Sequence, residues 1–342
     1  MIRRFATVAA VLTVVLIVAG GVVTNTDSGL ACPDWPTCFG SVVPKMAGNV
    51  AVEHTHRLIA TGVGLLTVAL AVLTLRRAAW LLAAFATLIL GAAFWAGHVK
   101  HVSDQLPALG VALVAIGFAG CGWVIARARN RDGRLATAAL ALVIFQGLLG
   151  GLTVLYRLPT LVLVMHLGTS MLFLSLMVLL ALRGLGPRAS GLGPKQLLWV
   201  TTGAVYLQIL LGATVRHTGA GLVCVDLPYC RGALWPTGVH PMVHLHMAHR
   251  ALALVVLALV FWSSLRTARA SAGVVRWLAL AAPALVLIQI GLGIATILTF
   301  KDLVPLTAHL LVGALLLADQ VALLALARPI EQRIPLLEAA AT

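Results

Sequence analysis

Two short stretches, EHTHR at residues 53–57 and HMAHR at residues 246–250, place ionisable side chains at the start of long apolar runs. An ionisable residue at membrane depth normally faces a partner, a cavity or a cofactor. Because both stretches contain a His followed by an Arg, we interpret them as two copies of one functional motif. Imidazole is a common ligand of haem iron, so haem binding is the chemistry to consider first.

Each stretch follows a pair of cysteines separated by five residues, Cys32/Cys38 in the first case and Cys224/Cys230 in the second. The segments SGLACPDWPTC and AGLVCVDLPYC share Gly-Leu-x-Cys, an Asp two residues later and a Pro before the second Cys, which indicates an internal duplication. Two interpretations of each pair stay open from the residues: a disulfide that staples an oxidised outer loop, and a thiol/disulfide couple that passes electrons. A zinc site is disfavoured, because neither pair adjoins a His or a further Cys in the sequence.

Four histidines occupy matching places in the two halves of the chain. His56 and His249 open a helix after a cysteine loop, and His166 and His309 open a later helix after a short Pro-bearing turn. All four therefore fall within about 10 Å, two helical turns, of one membrane face. A single His at such a depth is more often a packing residue. Two on different helices at a common depth favour ligation of a haem iron from both sides.

Arginines and glycines accompany these histidines. Arg57 and Arg250 each follow a candidate ligand by one residue. A guanidinium group pairs well with carboxylates, so haem propionates are its predicted partners; an interfacial Arg that extends toward water is the alternative. Gly-rich segments at 146–154, 208–215 and 289–297 suit helices that closely approach a neighbour or a flat ligand.

Composition predicts an all-α integral membrane protein. Hydrophobic residues make up 61% and charged residues 10% of the 342 residues, and the mean hydropathy is +1.04. These values exclude a soluble domain, and the alternating apolar pattern of an outer-membrane barrel is not present. Apolar runs that are long enough to cross about 30 Å of hydrocarbon predict ten transmembrane helices. The predicted runs are 5–24, 52–75, 78–97, 106–126, 135–155, 161–182, 197–215, 242–263, 275–298 and 303–327.

The formal net charge is +14, and the basic residues lie in short clusters between apolar runs. This distribution is a signal of membrane topology and requires no nucleic-acid partner. Basic residues cluster in alternate connections, beginning with Arg3 and Arg4, which predicts cytoplasmic termini and cysteine loops on the outer face. The first run has the length of a spanning helix, so we predict an uncleaved helix instead of a signal peptide. No Arg-rich, Ser-rich transit segment precedes it. We therefore expect a multi-pass protein of a bacterial plasma membrane, surrounded by lipid.

Together these features resemble the heme A synthase family. The resemblance rests on the outer-loop cysteine pairs, E-x-x-H-R in the first half, H-x-x-H-R in the second, LLGGLTVLYRLP before a His-Leu, and a final P-x3-His-Leu. It covers most of the chain. It implies a bundle of two pseudosymmetric four-helix halves that oxidises the ring methyl of heme O to the formyl group of heme A, for terminal oxidase assembly.

The resemblance also implies a different role for each half. The N-terminal half, 1–190, would hold the substrate near His56 and His166, with Glu53 beside the reacting group. The C-terminal half, 191–342, would hold a permanent haem b.

Further expectations follow from the same resemblance. His249 and His309 would be the axial ligands of haem b, the pair Cys32/Cys38 would take part in the redox chemistry, and the disulfide Cys224–Cys230 would be structural. The heme O synthase that supplies heme O is an expected partner. The electron acceptor and the oligomeric state, including a homo-oligomer, stay open.

Glu53 has His246 as its counterpart in the second half, so a carboxylate distinguishes the two predicted sites. We expect Glu53 to take up protons or to stabilise developing positive charge. We expect His246 to lie against the cofactor of its own half.

Two features depart from the family pattern. The runs at 78–97 and 106–126 add a helix pair to the first half, with His98 and His101 between them. His54 is also additional, and on a helix it points roughly 160° away from His56, so it is not expected to bind the same iron.

Two other functions are alternatives to the synthase. A bis-His di-haem cytochrome that transfers electrons between quinol and a periplasmic acceptor would need two equivalent sites without a carboxylate beside one of them. A transporter built from repeats fits less well, because no run has the pattern of a helix broken at mid-depth.

Overall fold

The structure, a computed structural model, describes residues 1–75, 83–89, 91, 106–128, 130–185 and 195–326. Within these ranges the regular structure is helical, apart from two isolated bridges in the cysteine loops. Nine long α-helices lie in the described ranges: α1 (Ile2–Asn25), α2 (Gly48–Leu75), α3 (Leu106–Arg127), α4 (Arg131–Leu155), α5 (Thr160–Ala181), α6 (Lys195–His217), α7 (Pro241–Arg269), α8 (Gly273–Leu298) and α9 (Leu303–Leu326).

Each of these nine helices of the described ranges contains a segment long and apolar enough to cross a membrane. The all-helical, multi-pass membrane architecture expected from the composition is therefore confirmed. The tenth predicted span, 78–97, lies mostly outside the described residues, as do His98 and His101; residues 83–89 of it are helical. The cytoplasmic position of the termini stays a prediction.

Local sequence signals set several helix boundaries. The Asn130 side chain accepts a hydrogen bond of 2.5 Å from the Gly133 N–H and so caps the start of α4. Pro241 occupies the first turn of α7, where a missing N–H costs nothing. Both short turns that precede a predicted His ligand contain two consecutive residues with positive φ: 157–158 between α4 and α5, and 300–301 between α8 and α9.

Four helices of each half form a closed ring. In the first ring α1 contacts α2, α2 contacts α4, α4 contacts α5, and α5 contacts α1. In the second ring the contacts are α6 with α7, α7 with α8, α8 with α9, and α9 with α6. The order of contacts is the same in both, so α1, α2, α4 and α5 correspond to α6, α7, α8 and α9.

The two rings share an apolar interface. Contacts of α1 with α9, α5 with α6 and α5 with α9 join them. Buried residues from both rings form one hydrophobic cluster there, including Ile17, Met171, Val205, Val256 and Leu317. Removal of this surface from lipid gives little net hydrophobic gain, so close packing is the main source of its stability.

Helix α3 lies outside the first ring and packs against α4. Its Cys121 and Val124 share a buried cluster with Ile89 of the helical segment 83–89 and with Ile144 of α4. Gly117 and Gly120 of α3 face Ile89 and Phe85 so closely that a Cβ at either position would clash. The additional helix therefore attaches to the ring without entering it.

Several polar contacts link the two rings, and one of them lies near the start of α9. The side-chain amide of Asn25 donates a hydrogen bond of 2.8 Å to the Thr307 hydroxyl. We expect Asn25→Ala and Thr307→Val each to lower stability, and a double-mutant cycle to give a coupling of about 0.5–1.5 kcal/mol, the range of helix–helix hydrogen bonds in membranes. Reversible unfolding in mixed detergent micelles measures it.

Thr299→Val is the matched control, since its hydroxyl bonds only within its own helix end, to the Ala295 carbonyl. That variant should leave stability within ~0.5 kcal/mol of the wild type. Additive effects of Asn25→Ala and Thr307→Val would show that this contact does not hold the rings together.

Candidate functional site

Each of the four predicted histidine ligands lies against a glycine of the helix that precedes it in its ring. A Cβ built on the glycine would stand 3.0 Å from His56 Cε1 at Gly20, 3.7 Å from His166 Cε1 at Gly150, 2.9 Å from His249 Cε1 at Gly212, and 3.1 Å from His309 Cε1 at Gly293. The same pairing thus occurs four times, on α1/α2, α4/α5, α6/α7 and α8/α9. Glycine permits the imidazole to lie at the backbone of the neighbouring helix.

The histidines of each ring face one another across its interior. His56 and His166 are close enough for a charge on one to act on the other, and the same holds for His249 and His309. All four line a single cavity of about 1530 Å³ that extends through both rings. Ordinary ligand pockets measure about 300–1,000 Å³, so this cavity has room for more than one large ligand.

Glutamines of the preceding helices form hydrogen bonds with the backbone of two of the histidines and with the imidazole of a third. Gln146 donates a hydrogen bond of 2.9 Å to the His166 carbonyl, and Gln208 donates one of 3.0 Å to the His249 carbonyl. At the fourth site the His309 ring donates from Nδ1 to the Gln289 carbonyl at 3.0 Å. A carbonyl only accepts, so Nε2 of that ring keeps its lone pair, the form that a metal ligand requires.

These residues fit a haem in each ring. Burial leaves Nδ1 of His56, His166 and His249 without a hydrogen-bond partner, although buried polar atoms are normally paired. Paired imidazoles from opposite helices would supply two nitrogen ligands to a haem iron. Most of the residues around them in the cavity are apolar, as a flat macrocycle requires.

The first cysteine loop is closed by a disulfide and held from below by Arg57. Cys32 and Cys38 are bonded, with their Cα atoms 4.8 Å apart. The Arg57 guanidinium donates to the backbone carbonyls of Cys32 (3.2 Å), Asp34 (2.9 Å) and Thr37 (2.7 Å). These three carbonyls lie within the loop, so one side chain of α2 organises its fold.

The second loop repeats this arrangement. Cys224 and Cys230 form a disulfide with Cα atoms 5.0 Å apart. Arg250 donates to the carbonyls of Cys224, Asp226 and Tyr229, the matching positions of this loop. Both predicted disulfides are therefore present. The prediction that the two arginines bind propionates stays a prediction, and most of their N–H groups already serve the loops.

An aspartate in each loop stabilises the turn that follows the second cysteine. Asp34 accepts hydrogen bonds from the Thr37 hydroxyl (2.5 Å) and from the Phe39 and Gly40 N–H groups (2.5 and 2.9 Å). Burial raises the pKa of this partly buried carboxyl, but these hydrogen bonds outweigh it and lower the pKa below its ordinary value of 3.8. Its contribution to loop stability is therefore present above that value and is lost as the pH falls through the lowered pKa.

Glu53 and His246 hold the same position in the two rings but make different contacts. Glu53, which is 4% exposed, accepts a hydrogen bond of 2.8 Å from the Cys32 N–H and pairs with Arg57 at 2.5 Å. His246 accepts a hydrogen bond of 3.2 Å from Arg250. Both residues line the cavity. A buried carboxylate is thus found in the first ring where the second has an imidazole.

The cysteine loops form part of the cavity wall. Trp35 and Pro36 of the first loop, and Pro228 and Trp235 of the second, line it. The Trp35 ring lies against Gly151 of α4, where a Cβ would stand 2.9 Å from its nearest carbon. The first loop therefore reaches from Arg57 of α2 to the neighbouring helix α4.

Some features of the site were not predicted from the sequence. The glycine-rich segments were recognised, but not the contact of each glycine with a particular His. A repeated signal was available, because Gln146, Gln208 and Gln289 each precede the contacting glycine by four residues. The hydrogen bonds of Arg57 and Arg250 to the loop carbonyls were also not predicted, because every residue has a backbone carbonyl and the sequence does not show which of them lie near an arginine.

The profile of the COX15-CtaA family, described as cytochrome oxidase assembly protein, matches residues 3–53 and 103–321. The match omits 54–102, which includes His56. The matched ranges therefore leave out most of α2, whose place in the first ring is shown by the structure. They include α3, although α3 lies outside the ring.

Several curated proteins are similar over most of their length. The chain is 30% identical over 264 residues to the heme A synthase of Symbiobacterium thermophilum, covering 72% of this chain and 70% of that protein. It is 27% identical to the heme A synthases of Shouchella clausii, over 88% of both chains, and Alkalihalophilus pseudofirmus, over 92% of this chain and 93% of that protein.

The contact between Gly212 and His249 gives a direct test of the histidine sites. A Cβ 2.9 Å from the ring forces the imidazole to move, so we expect Gly212→Ala to lower the haem content of the purified protein by about half or more. The pyridine haemochrome assay, per mole of chain, measures this. Gly203→Ala on the same helix is the control, because nothing lies within 4 Å of its Cβ. Equal haem content in the two variants would contradict the assignment.

Proposed function

The chain belongs to the COX15-CtaA family of cytochrome oxidase assembly proteins, and from this membership we propose that it is a heme A synthase that oxidises the ring methyl of heme O to a formyl group. One observation supports the proposal above all. Two paired-histidine sites open into one cavity, and one of them alone, among the described residues, has a buried carboxylate at the position equivalent to His246. A reacting site and a cofactor site would differ in this way.

In this proposal the first ring, within residues 1–190, binds heme O between His56 and His166. Gln146 holds the backbone of His166, and Gly20 allows His56 to lie close to α1. The apolar cavity wall excludes bulk water from the macrocycle. The residues thus bind and orient the substrate so that one ring methyl faces Glu53.

Glu53 is the proposed acid/base group at that methyl. Conversion of the methyl to the formyl group adds one oxygen atom and, with water as its source, releases four electrons and four protons in two steps. A nearby carboxylate can accept these protons. The Arg57 contact and the Cys32 N–H keep the carboxylate in a fixed orientation. A fixed anion in a site of low dielectric also stabilises positive charge that develops on the substrate.

The second ring, within residues 191–342, is proposed to hold haem b through His249 and His309, with His246 and Arg250 beside it. Haem b, when bound, supplies a one-electron centre next to the substrate site. The protein contributes ligand geometry: Gln208 and Gln289 contact the two ligand residues, and Gly212 and Gly293 set the distance between helices.

The two disulfides are proposed to have different roles. Cys32–Cys38 lies next to Glu53, and its reduction to a dithiol takes up two electrons and two protons, the amount released in one two-electron step. Cys224–Cys230 is proposed to be structural. The protein would lie in a bacterial plasma membrane with both loops on the outer face, and would receive heme O from a heme O synthase.

Identification of the bound porphyrins tests the proposed activity. We expect acid–acetone extracts of the purified protein to contain haem b together with heme O or heme A, at up to two haems per chain. Liquid chromatography with mass spectrometry identifies them. Haem b alone at two per chain would contradict the proposal and indicate a di-haem cytochrome.

Replacement of the carboxylate tests the role of Glu53. We expect Glu53→Gln to lower the conversion of heme O to heme A at least tenfold, because general acid–base groups contribute about 10²–10⁴-fold. Gln keeps an oxygen for the Cys32 N–H, so the loop should persist. Haem content and the free-thiol count of the variant check that the fold is intact.

His246→Gln is the matched control in the second ring. It removes a cavity-lining imidazole from the equivalent position, and we expect a smaller loss of activity than for Glu53→Gln. Unchanged turnover of Glu53→Gln at normal haem content would remove Glu53 from the mechanism.

A further inference from the structure

His54 lies beside the Cys32–Cys38 disulfide, on a side of α2 that the proposed oxidation does not use. One ring nitrogen of His54 and the two cysteine Sγ atoms all lie within 4.8 Å of one another. The His54 residue is 5% exposed and both cysteines are fully buried. Nδ1 of His54 is buried and has no hydrogen-bond partner. An unpaired buried imidazole nitrogen is costly, so its persistence next to two sulfurs requires an explanation.

The second loop gives an internal comparison. Met247 occupies the position of His54 and packs in a buried cluster with Cys224 and Cys230. A thioether fills the space beneath that disulfide without a nitrogen ligand. Within the described residues, the group of Cys32, Cys38 and His54 is the one place where three His, Cys, Asp or Glu side chains come together in this way. The two loops therefore differ chemically at equivalent positions, with an imidazole beside the first disulfide and a thioether beside the second.

We propose that, when the Cys32–Cys38 disulfide is reduced, its two thiolates and His54 bind a zinc ion. An external dithiol breaks the S–S bond and is itself oxidised to a disulfide, which leaves two thiols in the loop. Zn²⁺ then displaces one proton from each thiol. The site is closed while the disulfide is intact, so metal binding reports the redox state of the loop.

The ligand types and the charge favour zinc. Thiolate sulfur and imidazole nitrogen are the usual ligands of Zn²⁺, at about 2.3 Å and 2.0–2.1 Å. Two thiolates neutralise the charge of one Zn²⁺, which matters in a buried site because an uncompensated charge is strongly disfavoured. A monovalent cation such as Cu⁺ would leave a net negative charge.

The surroundings of the three ligands limit how far they have to move. Ligand atoms of a tetrahedral zinc lie about 3.5–3.8 Å apart, so the present spacing requires shifts of about 1 Å. Arg57 continues to hold the loop through its carbonyl contacts after reduction. Both oxygens of Glu53 are engaged by Cys32 N–H and Arg57, which leaves the fourth coordination position for a water molecule.

This inference reverses an expectation from the sequence. A zinc site was disfavoured because no His adjoins the cysteines along the chain. The fold supplies the missing ligand, because α2 begins beneath the loop and carries His54 to the disulfide. The proposal requires only that the disulfide opens, so it does not depend on the oxidation of heme O.

The test uses the purified full-length protein in detergent, with any affinity tag removed. After reduction by dithiothreitol and removal of the reductant without oxygen, ZnCl₂ is titrated against a chromophoric zinc chelator. We expect one tightly bound Zn²⁺ per chain beyond that of the oxidised protein, although reduction opens both loops. X-ray absorption at the zinc edge should show two sulfur ligands and at least one nitrogen ligand.

Two variants exchange the residues that differ between the loops. His54→Met gives the first loop the residue of the second, and we expect zinc affinity to fall at least tenfold with loss of the imidazole signal. Met247→His gives the second loop the residue of the first and should raise the stoichiometry toward two. Haem content and the thiol count of each variant show that the protein is folded and reduced.

Several results would overturn the proposal. These are equal zinc uptake by the oxidised and reduced protein, unchanged affinity in His54→Met, two zinc ions per reduced wild-type chain, and a zinc coordination shell without sulfur. Loss of heme A formation with normal zinc uptake would affect the proposed activity alone.

Discussion

The close approach of a histidine ring to a glycine backbone is the constraint on which the rest of this structure depends. In three of the four helix pairs a Cβ on the glycine would come within 3.1 Å or less of the imidazole, and at Gly150 it would stand in ordinary contact at 3.7 Å. The four imidazoles therefore lie at helix–helix interfaces and line the cavity instead of pointing into lipid. Neighbouring helices must then keep a fixed register, which the glutamine contacts and the tight turns of each ring reinforce.

The long apolar runs predicted the helices well, because in lipid every backbone polar group must be satisfied within the segment. The histidine positions and cysteine pairs were likewise evident, since duplication repeats them at matching places. The resemblance set the runs 78–97 and 106–126 apart as an added pair, but apolar length alone did not show where they pack, because α3 and α4 are both apolar and of spanning length. The structure places α3 outside the ring, against α4.

The arginines show why contacts of a loop are hard to foresee. Sequence position placed Arg57 and Arg250 next to a predicted haem ligand, which predicted propionate partners but did not reveal that these side chains also bind the cysteine loops. In the structure each guanidinium donates to three backbone carbonyls of its cysteine loop. A short loop has many carbonyls that its own turn cannot satisfy. An arginine below it supplies several donors at once, in a fixed planar arrangement.

The two rings share their framework and differ chemically at two adjacent positions of one helix. Adjacent residues on a helix point about 100° apart, so Glu53 reaches the cavity and Arg57 while His54 reaches the disulfide. The second ring has His246 and Met247 there. Because the arginine and the loop fold are common to both rings, these two substitutions change the chemistry around one disulfide without altering the scaffold. Duplication thus gave two copies of one loop fold that differ in the two residues beside the disulfide.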